Sequence, residues 1–131
     1  MKILLLKLHS SLLKFHQELL FFQTQLVEKN DSIKLTPYDL LNLSLNDFRF
    51  MWLKKYSDLI IQIDIFMDDK KNSEQDYAAL ISKVRELIAV DREENNELRI
   101  ALRSDSSLMM SLGQVKLAAD QIKKSLVEKL S

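Results

Sequence analysis

Leu5, Leu8, Leu12, Phe15, Leu19, Phe22 and Leu26 recur at alternating steps of three and four. That spacing lines up large apolar side chains on one stripe of a helix of roughly 25 residues, about 40 Å long at 1.5 Å per residue. A second stripe, Leu6, Leu13, Leu20 and Val27, lies beside the first. One partner helix cannot cover so wide a face, so the segment predicts a place inside a bundle.

Little in the chain competes with that reading. Gly113 and Pro37 are the single glycine and the single proline, and a sheet protein needs far more such residues for its turns. With 131 residues the chain is read as one domain, 1–131, long enough to bury a core without staples. An apolar fraction of 47% argues against disorder. The absence of cysteine removes disulfides, thiolate chemistry and Cys-based zinc sites, and fits a cytoplasmic protein. Basic and acidic side chains balance at 19 each, and no segment gathers enough positive charge to follow a phosphate backbone. Nucleic acid is therefore disfavoured as a partner. The start, Met1-Lys2-Ile3-Leu4-Leu5-Leu6, is interrupted by Lys7, His9, Lys14 and His16, which argues against both a signal peptide and a membrane span.

The first helix is expected over about residues 3–28, ended by the polar stretch Lys29 to Ser32. Thr36-Pro37-Tyr38-Asp39 then sets a capping hydroxyl before a proline at the first helical position, with a carboxylate three residues after the cap. A short helix from Pro37 to about Leu45 follows, packed across one end of the bundle. Trp52, Tyr56, Leu59, Ile63 and Phe66 mark a longer helix over about Phe48–Asp69. Ser73 and Asp76 form another capping box, and Tyr77, Leu80, Val84 and Leu87 carry that helix to about Val90. Asp91 to Glu97 holds no apolar residue. A break there is favoured, with a short helix burying Leu98, Ala101 and Leu102. Ser104, Asp105, Ser106 and Ser107 cap a last helix with the stripe Leu108, Leu112, Val115, Ala119, Ile122 and Leu126. The expected fold is all-α: an antiparallel bundle of four main helices with one or two short connecting helices.

Asp47, Phe50, Trp52-Leu53, Ser57, Leu59-Ile60, Ile63 and Asp64 give the segment Leu45–Asp64 a pattern. It resembles that of a family of small all-helical bacterial proteins of unknown function. A weaker echo lies in Leu98–Val115. The resemblance implies a bacterial, cytosolic, helical protein, and it implies no activity.

The chemistry-bearing residues read as structural. His9 and His16 lie two turns apart, about 10 Å, too far to share one metal ion. Leu6 and Leu13 stand where a di-iron bundle carries glutamate three residues before histidine. Both histidines are placed at the core boundary. Ser57 and Asp64 share a helix face, but a mid-helix serine offers neither strain nor an oxyanion hole. Asp64 is read instead as a hydrogen-bond acceptor to a neighbouring helix, and Ser57 as a small residue allowing close packing. Asp68-Asp69 and Glu93-Glu94 are read as solvated turns. Gly113 is assigned either to the close approach of a neighbouring helix or to a weak point in the last helix. No catalytic residue, cofactor or metal is assigned, and the chain is not expected to be an enzyme.

Phe48, Phe50, Met51, Trp52 and Tyr56 crowd the start of the long middle helix and cannot all face one core. They are the candidate interface, because aromatic residues and methionine are enriched at protein contacts. Trp52 lies on the helical stripe, so it is expected largely buried against the first helix and the Pro37–Leu45 helix, its indole N–H paired. The expected function is protein–protein interaction, including association with a second copy. The alternative is a bundle that opens around a small apolar ligand, with Phe15, Phe21, Phe22, Phe66 and Met67 around the pocket.

Overall fold

A computed structural model describes the backbone of residues 1–130 and the side chains of residues 1–129. These residues form α1 (Lys2–Asp31), α2 (Pro37–Asn46), α3 (Lys54–Asp68), α4 (Glu74–Ile88), α5 (Asn96–Ser104) and α6 (Ser107–Leu130). Two 3-10 turns, Phe48–Leu53 and Glu93–Asn95, complete the chain, and there is no strand among the described residues. The fold is all-α. Also among these residues, no helix is long and apolar enough to cross a membrane.

Four helices are the staves of a ring: α1 packs on α6 and α3, and α4 packs on α6 and α3. Pairs across each seam give the directions. Gln23 of α1 meets Trp52, in the turn that leads into α3, while His9 of α1 meets Asp64 of α3. Gln62 meets Lys83 while Phe66 meets Tyr77 across α3 and α4. Arg85 meets Asp120, and Ala78 and Leu126 line one groove, across α4 and α6. Numbers rise on one helix as they fall on the next, so every neighbour pair is antiparallel, and α6 closes antiparallel on α1.

The first stripe enters the core as far as Leu19 and then rotates. Leu5, Leu8, Leu12, Phe15 and Leu19 are buried, but the next buried positions are Gln23 and Val27. Phe22 is half-buried and Leu26 exposed, contrary to expectation. A straight helix repeats every 3.6 residues, so a strict heptad stripe drifts by about 20° per seven residues. Two full heptads carry it off the core, and steps of four restore it. The second stripe is less well covered: Leu6 and Leu13 are exposed. The stripe of α6 behaves as read, with Leu108, Leu112, Val115, Ala119, Ile122 and Leu126 all buried.

Local signals set the helix starts. Thr36 Oγ1 accepts from the Asp39 N–H and Asp39 Oδ2 accepts from the Thr36 N–H, each at 3.1 Å, with Pro37 behind the cap. Ser73 and Asp76 repeat that arrangement at α4. The middle segment departs from the expected single α-helix, because its first six residues wind as a 3-10 turn. Asp47 sets this: Oδ1 accepts the Arg49 N–H at 2.9 Å, and its carbonyl accepts from Phe50 at 3.1 Å.

The break after α4 is present, but the polar stretch is not all solvated. Asn95 is buried. Its Nδ2 donates to the carbonyls of Glu86 at 2.8 Å and Ala89 at 2.7 Å, satisfying the end of α4. Arg99 Nη1 donates to the Val90 carbonyl at 2.6 Å, and α5 then buries Leu98, Ala101 and Leu102.

A candidate protein-contact surface

The 3-10 turn sorts the aromatic cluster. At three residues per turn, positions i and i+3 eclipse. Phe50 therefore stacks over Leu53 and both are buried, while Phe48 stacks over Met51 and both face water. Tyr56, on α3, is fully buried; its ring meets Phe15 edge-on at 6.0 Å and its hydroxyl donates to the Leu87 carbonyl at 3.4 Å. Burial pushes the Tyr56 phenol well above its ordinary range. Phe50 and Tyr56 are thus core residues and offer no contact surface in the folded chain.

Trp52 lies between the two groups. It is half-buried, less than its stripe position implied, because the tight turn brings it to the wall of a groove of about 580 Å³ shared with Gln23, Phe48, Met51, Lys55 and Glu97. Its partners are α1 and Tyr56: the indole N–H donates to Gln23 Oε1 at 3.1 Å, and the ring meets Tyr56 edge-on at 6.1 Å. The polar Gln23 at a core position, which the periodicity of the apolar residues passes over, is explained by this bond.

The sequence pointed to Phe48 and Met51 and missed what continues them. On α2, Tyr38, Leu41 and Leu45 are 75%, 58% and 72% exposed, and Phe48 and Met51 are 78% and 64% exposed. Tyr38, Leu41 and Leu45 step by three and four, so they form one ridge along the outside of α2. The helix ends at Asn46, Asp47 is extended, and the exposed Phe48 and Met51 follow in the turn, Met51 lining one groove with Leu45. The signal lay in the residues, but a helical stripe is ordinarily read as core. α2 has no fully buried residue; Leu40 and Leu43 lie partly buried beneath it. A second groove, of about 450 Å³, runs under the ridge between Leu45, Met51, His16, Leu20 and Ser57. Burial lowers the pKa of His16.

Ion pairs hold the ridge's base. Arg49 donates to both Asp31 oxygens at 3.1 Å, and to Asp47 through Nε at 3.0 Å and Nη2 at 2.8 Å. The guanidinium, helped by the Arg49 N–H, holds the Asp47 carboxyl down at about 2. Across the first groove Lys55 Nζ donates to Asn95 Oδ1 at 2.7 Å and stands 5.7 Å from the Tyr56 ring centre. Burial lowers the pKa of its ammonium, opposed by Glu97 and Glu94.

The residues weighed for chemistry come together only in pairs, His9 beside Asp64 and His16 on one groove with Ser57. His9 Nε2 stands 2.9 Å from Asp64 Oδ1 without hydrogen-bond alignment, so the exposed Asp64 lies close to α1 but is not the hydrogen-bond acceptor expected of it. Ser57 instead donates to its own helix, to the Lys54 carbonyl at 2.9 Å. Asp68, Asp69, Glu93 and Glu94 are exposed, and Glu94 pairs with Arg92 at 2.6 Å. Among the described residues no three His, Cys, Asp or Glu side chains come together as a metal ion needs. The phenylalanines are dispersed: Phe15 is in the core, Phe21 faces water, Phe22 is half-buried, and Phe66 packs edge-on against Tyr77 at 4.8 Å.

No protein-family model, no curated protein and no solved structure matches the chain.

Proposed function

We propose that this protein acts without catalysis, as a protein–protein contact module whose contact surface is the ridge of Tyr38, Leu41, Leu45, Phe48 and Met51. The observation that carries the reading is the high exposure of all five on neighbouring elements, with α2 given no fully buried residue of its own. Monomeric proteins rarely leave large contiguous apolar patches in water. Two aromatic rings of about 150–250 Å² each, with three aliphatic side chains, approach the scale of roughly 800 Å² per partner of an ordinary interface. Ser57 donates to the carbonyl of its own helix, and among the described residues no hydrogen bond joins it to His9 or His16, which supports a role other than catalysis. The bacterial, cytosolic setting implied by the Asp47–Asp64 resemblance belongs to this proposal.

A photoreactive residue in place of Leu41, with Lys83 on the opposite stave as control, tests it in living cells. Discrete cross-linked species are expected from position 41 alone, and Leu45→Asp should abolish them. No cross-link from position 41 would sink the reading.

A further inference from the structure

We infer that a second surface, the outer face of α1 with the groove between α1 and α6, docks on a bilayer surface rich in anionic lipid. This goes beyond the contact-module reading and stands apart from the ridge. The groove, about 760 Å³, is lined by Ile3, Leu6, Lys7, Lys14, Met110 and Leu117 among others, and none of its lining residues is acidic. Its four large apolar side chains are 70%, 47%, 78% and 53% exposed for Ile3, Leu6, Met110 and Leu117. Phe21 is 63% exposed. It stands five whole turns beyond Ile3, so the two side chains leave α1 in the same direction, about 27 Å apart. Gly113, between Met110 and Leu117, has nothing within 4 Å of where a Cβ would stand, so no helix of this chain covers that face of α6.

Charge names the partner. The chain as a whole has no formal net charge, yet residues 1–17 contain Lys2, Lys7 and Lys14 and no acid. Among the described residues Lys7 and Lys14 enter no ion pair. On the other side of α6 the cation is answered, with Arg85 donating to Asp120 at 2.7 Å. At one end of the groove Glu18 accepts a hydrogen bond from Ser111. At the other, past Gln121, Lys124 precedes Glu128. Cations therefore outnumber acids along this face, and they flank its apolar side chains. Interfacial docking takes both signals: apolar side chains seated at the level of the acyl chains, and cations on the headgroup phosphates. Lysine suits the second because its stem lies along apolar surface while its ammonium reaches outward. A protein partner would have to bring acids to fixed points opposite Lys7 and Lys14. An anionic bilayer offers them everywhere, and it spreads over both helices as the exposed side chains do. The docking is peripheral, because among the described residues no helix is long and apolar enough to cross.

Flotation with vesicles tests it, using equal parts phosphatidylglycerol and phosphatidylcholine against phosphatidylcholine alone. The native chain should float with the anionic vesicles only, and less so at high salt. Lys7→Glu/Lys14→Glu, at exposed positions and with an unchanged melt, should lower the partition by about thirtyfold or more. Lys7→Arg/Lys14→Arg should keep it. Leu41→Asp/Leu45→Asp on the ridge should float as the native chain does. A native chain that floats with neither vesicle, or equally with both, overturns the inference, and the cross-link from position 41 then decides separately whether the ridge serves a protein. Flotation that survives Lys7→Glu/Lys14→Glu but not the ridge variant also overturns it, since the ridge would then be the surface that meets lipid. If the chain does not float and a photoreactive residue in place of Leu117 captures a discrete protein in cells, the groove is a protein site and the lipid assignment is wrong.

Discussion

α2 and α5 are connecting helices of nearly equal length, ten and nine residues, and the bundle treats them in opposite ways. α5 buries Leu98, Ala101 and Leu102, and the residues leading into it cap the end of α4. α2 has the better start, with its proline and its reciprocal cap, yet it buries no residue fully and turns Tyr38, Leu41 and Leu45 outward. Local encoding and tertiary docking are therefore separate properties. A well-capped helix that docks weakly holds apolar side chains in a fixed array at the surface, which is what a contact surface requires and a brace does not.

The sharpest way to break the comparison is a matched pair of truncations. Leu98→Ala should cost about 3–4 kcal/mol, as for a fully buried leucine, whereas Leu41→Ala should stay within about 0.5 kcal/mol, as for a surface change. Urea unfolding measures both. Similar losses at the two sites would mean that α2 is docked as firmly as α5.

A second, smaller effect tests what holds α5. Asn95 donates to Glu86 and Ala89 and accepts from Lys55 at 2.7 Å, so Asn95→Ala strands the Glu86 carbonyl and leaves the Ala89 carbonyl with only the Arg92 N–H at 3.3 Å and the Lys55 ammonium with only the Glu94 carbonyl at 3.4 Å. The expected cost is about 2–3 kcal/mol, since unpaired buried groups cost about 1–3 kcal/mol and bonds to charged groups lie at the upper end. Exchange of the α5 amides should quicken with it. A loss below about 0.5 kcal/mol in the same unfolding experiment would show that the apolar face of α5 suffices on its own.

The contrast also marks how far the residues alone could be read. Helix number, the capping boxes at Thr36 and Ser73, the break before α5 and the stripe of α6 follow from spacing and caps, which act over a few residues. Asn95 was not legible as a buried residue, because its worth depends on Lys55, forty positions away, and on the carbonyls left open at the end of α4. Gln23 was hidden for the same reason: Trp52, the partner that makes it a core residue, is twenty-nine positions on. The candidate surface was half legible. Phe48 and Met51 were named among their neighbours, but the 3-10 winding that separates them from Phe50 and Tyr56 depends on the side-chain bonds of Asp47. Tyr38, Leu41 and Leu45 have the spacing of a core stripe, and only the position of α2 on the bundle shows that they face water.

At the α2 end the effects are smaller because the helix is braced locally. Thr36→Ala removes one half of the reciprocal cap and should cost about 1 kcal/mol. The loss should appear first as faster hydrogen exchange at Asp39 and Leu40, with the main bundle unaffected. If the cost instead spreads through α1 and α3, α2 belongs to the cooperative core, and its separation from α5 in kind is lost.

The smallest effect at neutral pH becomes visible in acid. The Arg49 guanidinium, and after it the Arg49 N–H, hold Asp47 at about 2 against an ordinary 3.8. Because the folded value is the lower one, the unfolded chain takes up the proton first. Asp47's contribution is therefore present in full above the ordinary carboxylate range, and is lost as the pH falls from about 3.8 through about 2. Protonation releases Arg49, whose other anchor is Asp31, and with it the 3-10 turn that sets Phe48 and Met51 outside and Phe50 inside. Trp52 is the only tryptophan and sits in that turn, so its emission reports there without a label. A red shift of Trp52 emission should precede the loss of helical circular dichroism on acidification. Asp47→Asn keeps the size but not the charge, and should flatten the pH dependence of that shift across the same window. Asp39, whose carboxyl Thr36 also holds low, remains to supply a shallower slope. If the native and Asp47→Asn proteins follow one acid curve, the turn is held by packing alone. The ridge would then be as rigidly built into the bundle as α5 is.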